Sequence, residues 1–378
     1  DMSDPEWYRA DTWHEPFAKL RREDPVHYCP DSEFGPYWSV TKYNDIMTVE
    51  LDPTTYSSQV GGIQVRDPKP GLETESFIRM DPPRHTVERK TVAPIVAPFN
   101  LKNMTDTIRE RTCFVLDELP RNEEFDWVDT VSIELTTMML ATLFDFPWEE
   151  RRKLTYWSDL AIFTDFDAPD AMVRSEEERF EELTKMAAYF KVLWDERKAQ
   201  EPRFDLISML AHGPETQDMS LREFIGNLAL LIVGGNDTTR NSMSGGLYYL
   251  NQNPGEWEKL RADADLLPKL VAETIRYQTP VIHMRRTALK DTELGGKQIR
   301  KGDKVVMWYV SGNRDDEVID RPDDFIVDRR KARQHLSYGA GIHRCVGDRL
   351  ADLQLQILWE EILNRDLKIE VLGEPTRM

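Results

Sequence analysis

The sequence has 378 residues, of which 40% are hydrophobic and 31% are charged, and its formal net charge is −19. With a mean hydropathy of −0.57, this composition is typical of a globular protein with a large core. The acidic balance argues against nucleic acid or an anionic membrane as the main partner, and the longest apolar runs are far too short for a membrane span.

The three cysteines, Cys29, Cys113 and Cys345, are too few and too odd in number for a disulfide framework. The first ten residues are polar and acidic, unlike a signal peptide. We therefore expect a cytoplasmic protein. No linker, repeat or low-complexity segment divides residues 1–378, which favours a single domain.

The first predicted elements are two short strands, Val26 to Tyr28 and Tyr37 to Val40, whose β-branched and aromatic content is typical of a small sheet. A helix is predicted next, from Lys42 to Glu50. The segment from Ser57 to Met80 is rich in glycine and proline and predicts a long loop, a feature that usually has a functional reason.

Helical patterns then dominate from Arg84 to Asn253. Strand-like segments return between Thr287 and Val310, around a turn at Gly295 and Gly296. The sequence thus predicts a mainly α-helical fold with a small β portion.

The longest predicted helix runs from Ser220 to Asn253, where Ser220 and Glu223 have capping-box spacing and a proline follows the last residue. The pair Gly234-Gly235 lies near its middle, where each glycine costs about 1 kcal/mol relative to alanine. Two interpretations remain open. The glycines let another group approach the backbone beside a locally distorted helix, or they mark a close crossing between two helices.

The segment from Tyr338 to Gly347 places Cys345 among glycines at the start of an apolar helix, predicted from Val346 to Asn364. The glycines let the backbone turn tightly and approach a flat cofactor. The positive end of the helix is expected to lower the pKa of the thiol. A lone cysteine is elsewhere mostly a small buried hydrophobe, whereas this setting suits a thiolate ligand for haem iron, which favours O–O cleavage.

The same segment resembles the haem-binding signature of the cytochrome P450 family, with Tyr338 where the family usually has Phe. The resemblance extends from Tyr37 to Asn364 and includes four motifs in the family's order. It implies the P450 fold, with haem b held between the long helix and the cysteine helix and O2 as co-substrate. It makes Cys345 the iron ligand, places Tyr338 and Gly339 beside the haem, and lets His343 reach a haem propionate.

The long helix carries the next motif of the resemblance. Its family counterpart implies that Gly234 and Gly235 lie over the haem. It also makes Asp237 and Thr238 an acid–alcohol pair that supplies protons for O2 activation. Asn236, between the two pairs, is assigned no role.

Haem propionates require cationic or hydrogen-bonding partners. His85 and Arg89 lie four residues apart on one helix face, and Arg286 opens an Arg-x-Ala strand. Each alone would be an ordinary surface residue. In this order they match the positions that bind propionates in the family, and the resemblance implies the same function here.

Glu273 and Arg276, three residues apart on a helix, would alone be a common solvated pair. They match the Glu-x-x-Arg element of the family. The resemblance therefore implies a structural ion-pair network under the haem, with Arg329 as its third member.

Three further segments resemble the bacterial alkane and fatty-acid terminal hydroxylases: Leu231 to Met243, His283 to Leu289 and Met307 to Asp315. This resemblance implies hydroxylation of the terminal carbon of a medium-chain alkane or fatty acid in a narrow apolar channel. The family continues beyond Val371 into a strand hairpin, so we expect part of the pocket to be missing. Candidates for the channel, each of which could instead be core, are Leu230, Val233, Val281 and Ile282, with Ile63, Val65, Phe77, Phe163 and Phe166 in the long loop and a lid region.

Electrons must come from a partner, because the sequence has neither a glycine-rich nucleotide fingerprint nor a cysteine cluster for iron–sulfur. We expect a ferredoxin with its reductase. A basic surface around the cysteine loop suits an acidic ferredoxin, although it could be an ordinary solvated face. Its residues are Arg329, Arg330, Lys331, Arg333, Arg344 and Arg349.

Three alternatives remain open at this level. The enzyme could hydroxylate another apolar substrate such as a terpene or steroid, it could be a peroxide-driven peroxygenase, or it could be a non-enzymatic haem sensor or carrier. The sequence leaves open the chain-length preference, alkane against fatty acid, regioselectivity, the identity of the redox partner and the oligomeric state.

Overall fold

The computed structural model describes residues 1–376, and this part of the chain forms fourteen α-helices and seven short β-strands. The predicted mainly helical fold with a small sheet is confirmed. The helices are α1 Glu6–Arg9, α2 His14–Glu23, α3 Tyr43–Leu51, α4 Arg84–Val92, α5 Pro98–Asp117, α6 Glu134–Phe144, α7 Arg152–Ile162, α8 Glu176–Lys198, α9 Leu206–His212, α10 Leu221–Gln252, α11 Pro254–Ala262, α12 Leu267–Gln278, α13 Tyr309–Gly312 and α14 Asp348–Asn364. The strands are β1 Val26–Cys29, β2 Tyr37–Val40, β3 Tyr56–Ser57, β4 His283–Ala288, β5 Thr292–Leu294, β6 Lys297–Ile299 and β7 Lys304–Trp308.

Five strands form one sheet in the order β1-β2-β7-β4-β3, and β5 pairs with β6 in a separate hairpin. β2 and β7 are parallel, and the other neighbours are antiparallel. Every residue of β7 is buried, which explains its nearly unbroken apolar sequence. The turn between β5 and β6 uses Gly295 and Gly296, both with positive φ, as predicted.

Most predicted elements are present, and most bounds shift by one or two residues. The second strand region differs more, because it begins at His283 rather than Thr287 and ends at Trp308, after which Tyr309 and Val310 belong to α13. The first strand extends to Cys29, and the second is as predicted. The predicted third element becomes Tyr43–Leu51. The helix after the cysteine loop begins at Asp348 rather than at Val346.

The long helix α10 packs against α6, α7, α8, α12 and α14. Its capping box is present, because the Ser220 side chain accepts from the Glu223 amide and the Glu223 side chain accepts from the Ser220 amide. Ile225, Leu228 and Ile232 are fully buried, so one helix organises the apolar core on several sides. None of the helices within residues 1–376 combines the length and the apolar character that crossing a membrane requires.

The long loop between β3 and α4 lies between the sheet and α10. In its first half, the Arg285 amide donates to the Ile63 carbonyl at 2.8 Å, and the Lys304 ammonium donates to the Val65 carbonyl at 2.9 Å. In its second half, the Glu75 amide donates to a carbonyl of α10 at 3.3 Å, and a short 3-10 turn covers Phe77–Arg79. The loop thereby forms a wall beside α10.

Candidate cofactor and substrate site

The loop before α14 presents Cys345 to the interior. Gly339 and Gly341 have φ angles of 65° and 62°, and a Cβ on Gly341 would lie 2.5 Å from the Glu50 carbonyl oxygen, so the loop requires glycine there. The Cys345 amide donates to the Tyr338 carbonyl at 2.8 Å. The Cys345 side chain forms no disulfide and is open to a bound group, as a ligand cysteine requires.

The predicted lowering of the thiol pKa is wrong. Burial raises the pKa of Cys345 to about 11; the Gly347 amide opposes the rise, and Asp348 adds to it. The helix begins only at Asp348, so a carboxylate accompanies its positive end. A thiolate at position 345 therefore depends on a bound metal ion, which deprotonates a coordinating thiol.

The buried His85 and the partly buried His343 meet beside the cysteine loop. The rings of His85 and His343 are in edge contact, with centroids 4.4 Å apart. All four ring nitrogens are buried without a hydrogen-bond partner within residues 1–376. Burial lowers the pKa of His85, and burial with the charges of Arg286 and Arg89 lowers the pKa of His343 to about 2. Such orphaned polar atoms require an explanation.

Two arginines adjoin this histidine pair, and a carboxylate that sequence reasoning missed lies with them. Arg89 donates to the Arg344 carbonyl. Arg286 pairs with the buried Glu50 of α3, with Nη2 and Oε2 3.0 Å apart, and the Tyr309 hydroxyl also donates to Glu50. No motif marks Glu50, which stands near the end of an ordinary helix, so only the fold reveals its position behind the glycines of the cysteine loop.

The cluster of His85, His343, Arg89 and Arg286 fits the two propionate groups of a haem. It offers two cations and four unused ring nitrogens at a partly buried site, where charge-assisted hydrogen bonds to carboxylates are strong. Glu50 is one counter-charge for two arginines. Two carboxylates at the edge of a cofactor would supply partners for the unpaired ring nitrogens and would balance the excess positive charge.

The two glycines of α10 differ in their surroundings. A Cβ on Gly234 would meet no atom within 4 Å, whereas one on Gly235 would lie 2.5 Å from Leu140 Cδ2. Gly234 is exposed in mid-helix, so it borders an interior space. At Gly235 the side that a Cβ would occupy instead meets a close crossing with α6. The helix is continuous from Leu221 to Gln252.

Asn236, to which the sequence assigned no role, ties α10 to α6. It is fully buried, and its side-chain oxygen accepts from Thr136 Oγ1 at 2.7 Å. On the neighbouring face, Thr238 Oγ1 donates to the Gly234 carbonyl at 3.2 Å. The Thr238 hydroxyl is therefore held next to the open side of Gly234.

Asp237 lies in an ion-pair network that sequence reasoning missed. Its carboxylate accepts from Arg240 Nη2 at 2.6 Å, and the same guanidinium lies 2.9 Å from Asp159 of α7. Burial raises the pKa of Asp159, and Arg240 opposes the rise. The i, i+3 spacing of Asp237 and Arg240 was a signal that could have found the arginine. Asp159, from another helix, had no such signal.

Glu273 is the centre of a fully buried ion-pair cluster. Its carboxylate accepts two hydrogen bonds from Arg276 and one from Arg329, all at 2.8 Å, and one from the Ile326 amide at 2.9 Å. Burial opposes ionisation, yet the two arginines hold the pKa of Glu273 below its usual value. The structure thus brings together the three residues that the sequence assigns to this network.

The candidates for the substrate channel separate into two groups. Leu230 is partly buried and packs against the largest apolar cluster, as do Phe163 and Phe166, and Val233 is partly buried beside Gly234 on α10. Val281 and Ile282 instead pack against two smaller clusters that contain the sheet residues. Leu230, Phe163 and Phe166 therefore share one apolar cluster, whereas Val281 and Ile282 pack on the side of the sheet.

The predicted basic surface is smaller than expected. Arg329 is buried in the Glu273 cluster and therefore does not belong to the basic surface. Two of the exposed cations are partly neutralised, Arg333 by Asp352 at 3.1 Å and Arg344 by Asp348 at 2.9 Å. The exposed members are Arg330, Lys331, Arg333, Arg344 and Arg349.

Comparisons with known proteins agree with this geometry. The family model for Cytochrome P450 matches residues 36–371. A linalool 8-monooxygenase of Pseudomonas putida is 37% identical over 388 residues, which cover 100% of this chain and 94% of the relative. A steroid C26-monooxygenase of Rhodococcus jostii is 32% identical over 393 residues, covering 100% of this chain and 81% of that protein.

Two solved structures are also similar. Cytochrome P450-153 from Novosphingobium aromaticivorans has a TM-score of 0.93 at 49% identity, and the match covers 100% of this chain and 95% of that one. CYP153D17 from Sphingomonas has a TM-score of 0.93 at 51% identity, with 100% and 94% of the two chains covered.

Proposed function

Because this chain belongs to the cytochrome P450 family of haem-containing monooxygenases, we propose that it hydroxylates the terminal carbon of medium-chain alkanes or fatty acids. Two observations support the finer assignment. Three segments of the sequence resemble the bacterial terminal hydroxylases, and the two solved structures of the 153 group are 49% and 51% identical to the chain.

When bound, the haem supplies activation of O2 at an iron with a thiolate ligand. The chain supplies the environment for that chemistry. In our proposal Cys345 provides the thiolate, and the two arginines and two histidines described above hold the propionates. His85 and Arg286 are buried, which keeps part of the charged edge of the cofactor away from water and strengthens electrostatic contacts there.

Proton supply is assigned to Asp237 and Thr238. The Thr238 hydroxyl lies next to the open side of Gly234 and can pass a proton into that space. Asp237 can exchange protons with water only when its ion pair with Arg240 loosens. Arg240 can compensate by moving towards Asp159, which is already within 2.9 Å.

The observation that carries the proposal is the open side of Gly234 next to an apolar lining. Gly234 is exposed, Leu230 lies one turn before it on the same helix face, and Phe163 and Phe166 belong to the apolar cluster that Leu230 joins. An apolar channel of this kind orients an alkyl chain by shape. If the channel admits only the end of the alkyl chain, the terminal carbon is the one that is hydroxylated.

Electrons are proposed to come from a ferredoxin and its reductase. The exposed part of the basic surface, with Arg330, Lys331 and Arg349 not engaged in the ion pairs above, suits an acidic partner. A thiolate ligand also fits a reducing compartment, so we place the activity in the cytoplasm.

The test is a substrate panel with purified haem-bound protein, reduced ferredoxin and O2. Alkanes, fatty acids and primary alcohols of increasing length are compared with linalool and a sterol, because relatives are named for those substrates. We expect terminal alcohols from the linear chains, with a sharp optimum at one length. Turnover of linalool or the sterol alone would replace the proposal with the terpene or steroid alternative.

Proton supply has its own test within the panel. Replacing Asp237 by Asn and Thr238 by Ala should divert electrons from hydroxylation to peroxide, which is measured as moles of product per mole of electron donor consumed. Unchanged coupling in the double variant would remove both residues from the mechanism. Full turnover of wild type with peroxide alone would instead favour a peroxygenase.

A further inference from the structure

Glu50 is a buried carboxylate at the end of α3, and both of its oxygens are engaged. The residue is 4% exposed. Its Oε2 lies 3.0 Å from Arg286 Nη2, and its Oε1 accepts a hydrogen bond from the Tyr309 hydroxyl. Arg286 and Tyr309 are buried as well. A carboxylate in such a place keeps its charge because it has a cation and a second donor as partners.

Glu50 also contacts the cysteine loop. A Cβ on Gly339 would lie 3.6 Å from Glu50 Oε1 and 3.8 Å from the Tyr309 hydroxyl, and a Cβ on Gly341 would lie 2.5 Å from the Glu50 carbonyl oxygen. These two glycines precede Cys345 by six and four residues. The folded chain itself therefore holds the carboxylate against the loop that carries the cysteine.

The position of the carboxylate is fixed from two sides. Burial, and after it the charge of Glu50, raises the pKa of Tyr309 well above its usual value, so the hydroxyl keeps its proton and acts as a donor. On the other side, Arg286 Nη1 donates to the Arg285 carbonyl at 2.8 Å. Each partner of Glu50 is thus restrained, and the negative charge stays in one place beside the loop.

We propose that Glu50 lowers the reduction potential of the haem by placing a fixed negative charge against the cysteine loop. This inference rests on the proposed ligation of haem by Cys345 and on the proposed binding of a propionate by Arg286. A nearby negative charge disfavours the addition of an electron to the iron, and a buried charge is poorly screened by water. Glu50 thereby sets how strong a reductant the ferredoxin must be.

Reduction potentials of the haem-bound protein test the inference. Spectroelectrochemical titration compares wild type, Glu50→Gln and Glu50→Asp. Glu50→Gln keeps the size of the side chain and removes its charge, so the equilibrium constant for reduction should rise by about tenfold, which is about 59 mV for a one-electron couple. Glu50→Asp keeps the charge and should stay within roughly threefold of wild type.

Glu134→Gln is the matched control. Glu134 also pairs with arginines, Arg151 at 2.6 Å and Arg152 at 2.9 Å, but it lies on α6, which packs against α5, α7 and α10. Removing its charge should change the equilibrium constant for reduction by roughly twofold at most. A tenfold rise in this control as well would refute a specific effect of Glu50.

A second background keeps the test valid if Glu50→Gln does not fold around haem, which the carbon monoxide difference spectrum shows. Arg286→Gln removes the positive partner and should lower the equilibrium constant by about tenfold. The double variant Arg286→Gln with Glu50→Gln leaves neither charge buried alone, and its constant should return to within roughly threefold of wild type. No rise from the single to the double variant would refute the inference.

The outcomes also separate the inference from the proposed function. An unchanged potential in Glu50→Gln would refute the effect of Glu50, while terminal alcohols formed by wild type would still support the function. Equal rises in Glu50→Gln and Glu50→Asp would assign the effect to packing and would refute the role of the charge. A wild-type protein without the thiolate carbon monoxide band would refute ligation by Cys345, and with it both proposals.

Discussion

The Glu273 cluster and the His85–His343 cluster both contain buried polar atoms. They differ in whether those atoms have hydrogen-bond partners within the chain. Glu273 accepts four hydrogen bonds from groups of the chain itself. The two histidines have four buried ring nitrogens with no partner in the part of the chain that the structure describes. Both clusters therefore carry a desolvation cost, but only the first is compensated by folding alone.

The difference separates structural polar groups from binding ones. A buried charge whose partners are all internal holds loops and helices in place. A buried polar group that lacks a partner within the chain indicates a site where a ligand binds and supplies the partner. The thiol of Cys345 also lacks an internal partner, and it is open to a bound group. The variants below test whether the presence or absence of internal hydrogen-bond partners distinguishes structural groups from ligand-binding groups.

Removing the centre of the complete cluster should have the largest effect. Glu273→Gln leaves Arg276 and Arg329 buried without a counter-charge, which should lower the free energy of unfolding by about 3–5 kcal/mol. Denaturant titration of the haem-free and haem-bound protein measures the change. Glu182→Gln, from an exposed pair with Lys185, is the control and should change stability by less than about 1 kcal/mol. Equal losses in the two variants would contradict a structural role for the cluster.

A partly buried histidine that does have an internal partner, His283, should respond to pH. His283 Nε2 accepts from the Val65 amide at 3.4 Å, and burial lowers the pKa of His283 to about 4. Between its unfolded value of about 6.5 and about 4, the unfolded chain binds a proton that the folded chain does not. Folding stability should therefore fall as pH drops through this window, by at most about 3 kcal/mol from this residue.

His283→Gln keeps an acceptor for Val65 and cannot titrate, so its free energy of unfolding should depend less on pH in the same window. Denaturant titrations of both proteins across that range measure the slope. An unchanged slope in the variant would assign the pH dependence to other groups.

The sequence predicted what depends on neighbours in the chain. The capping box of α10, the glycine turns at Gly339 and Gly341, and the spacing of Glu273 and Arg276 are local patterns, and the fold contains all of them. Helix and strand bounds were also close, because periodicity and turn residues mark them. The order of the strands in the sheet was not predicted, since it depends on contacts between distant segments.

The same reasoning explains what the sequence missed at the site. Glu50 meets Arg286 across 236 residues, and Asp159 reaches Arg240 from another helix, so no spacing could reveal either contact. The predicted pKa of Cys345 failed for a related reason. The helix end is a local feature, whereas burial, which dominates the shift, is a property of the whole fold.

Filling the incomplete cluster with apolar rings should affect haem more than folding. His85→Phe and His343→Phe remove buried nitrogens that have no partner, so the haem-free protein should keep its stability within about 1 kcal/mol. Haem affinity should fall by about tenfold to a hundredfold, because propionate hydrogen bonds are lost. Competition for haem with a second haem-binding protein measures it. His212→Gln, on the surface of α9, is the control, and unchanged haem affinity in both phenylalanine variants would refute propionate binding.

The smallest effects should come from the two glycines of α10, where the contrast between open and occupied space is a single methyl group. Gly234→Ala places Cβ in open space, so the better helix propensity of alanine should raise the free energy of unfolding of the haem-free protein by about 1 kcal/mol. Gly235→Ala drives Cβ against Leu140 and should lower it by about 1–2 kcal/mol.

A double-mutant cycle with Leu140→Ala identifies the cause of the loss at Gly235. The smaller side chain makes room for the new methyl group, so Gly235→Ala should cost little or nothing in the Leu140→Ala background, whereas the gain from Gly234→Ala should be the same in both backgrounds. If the two glycine variants instead change stability equally, both positions face the same kind of space, and the assignment of Gly234 alone to the interior opening is wrong.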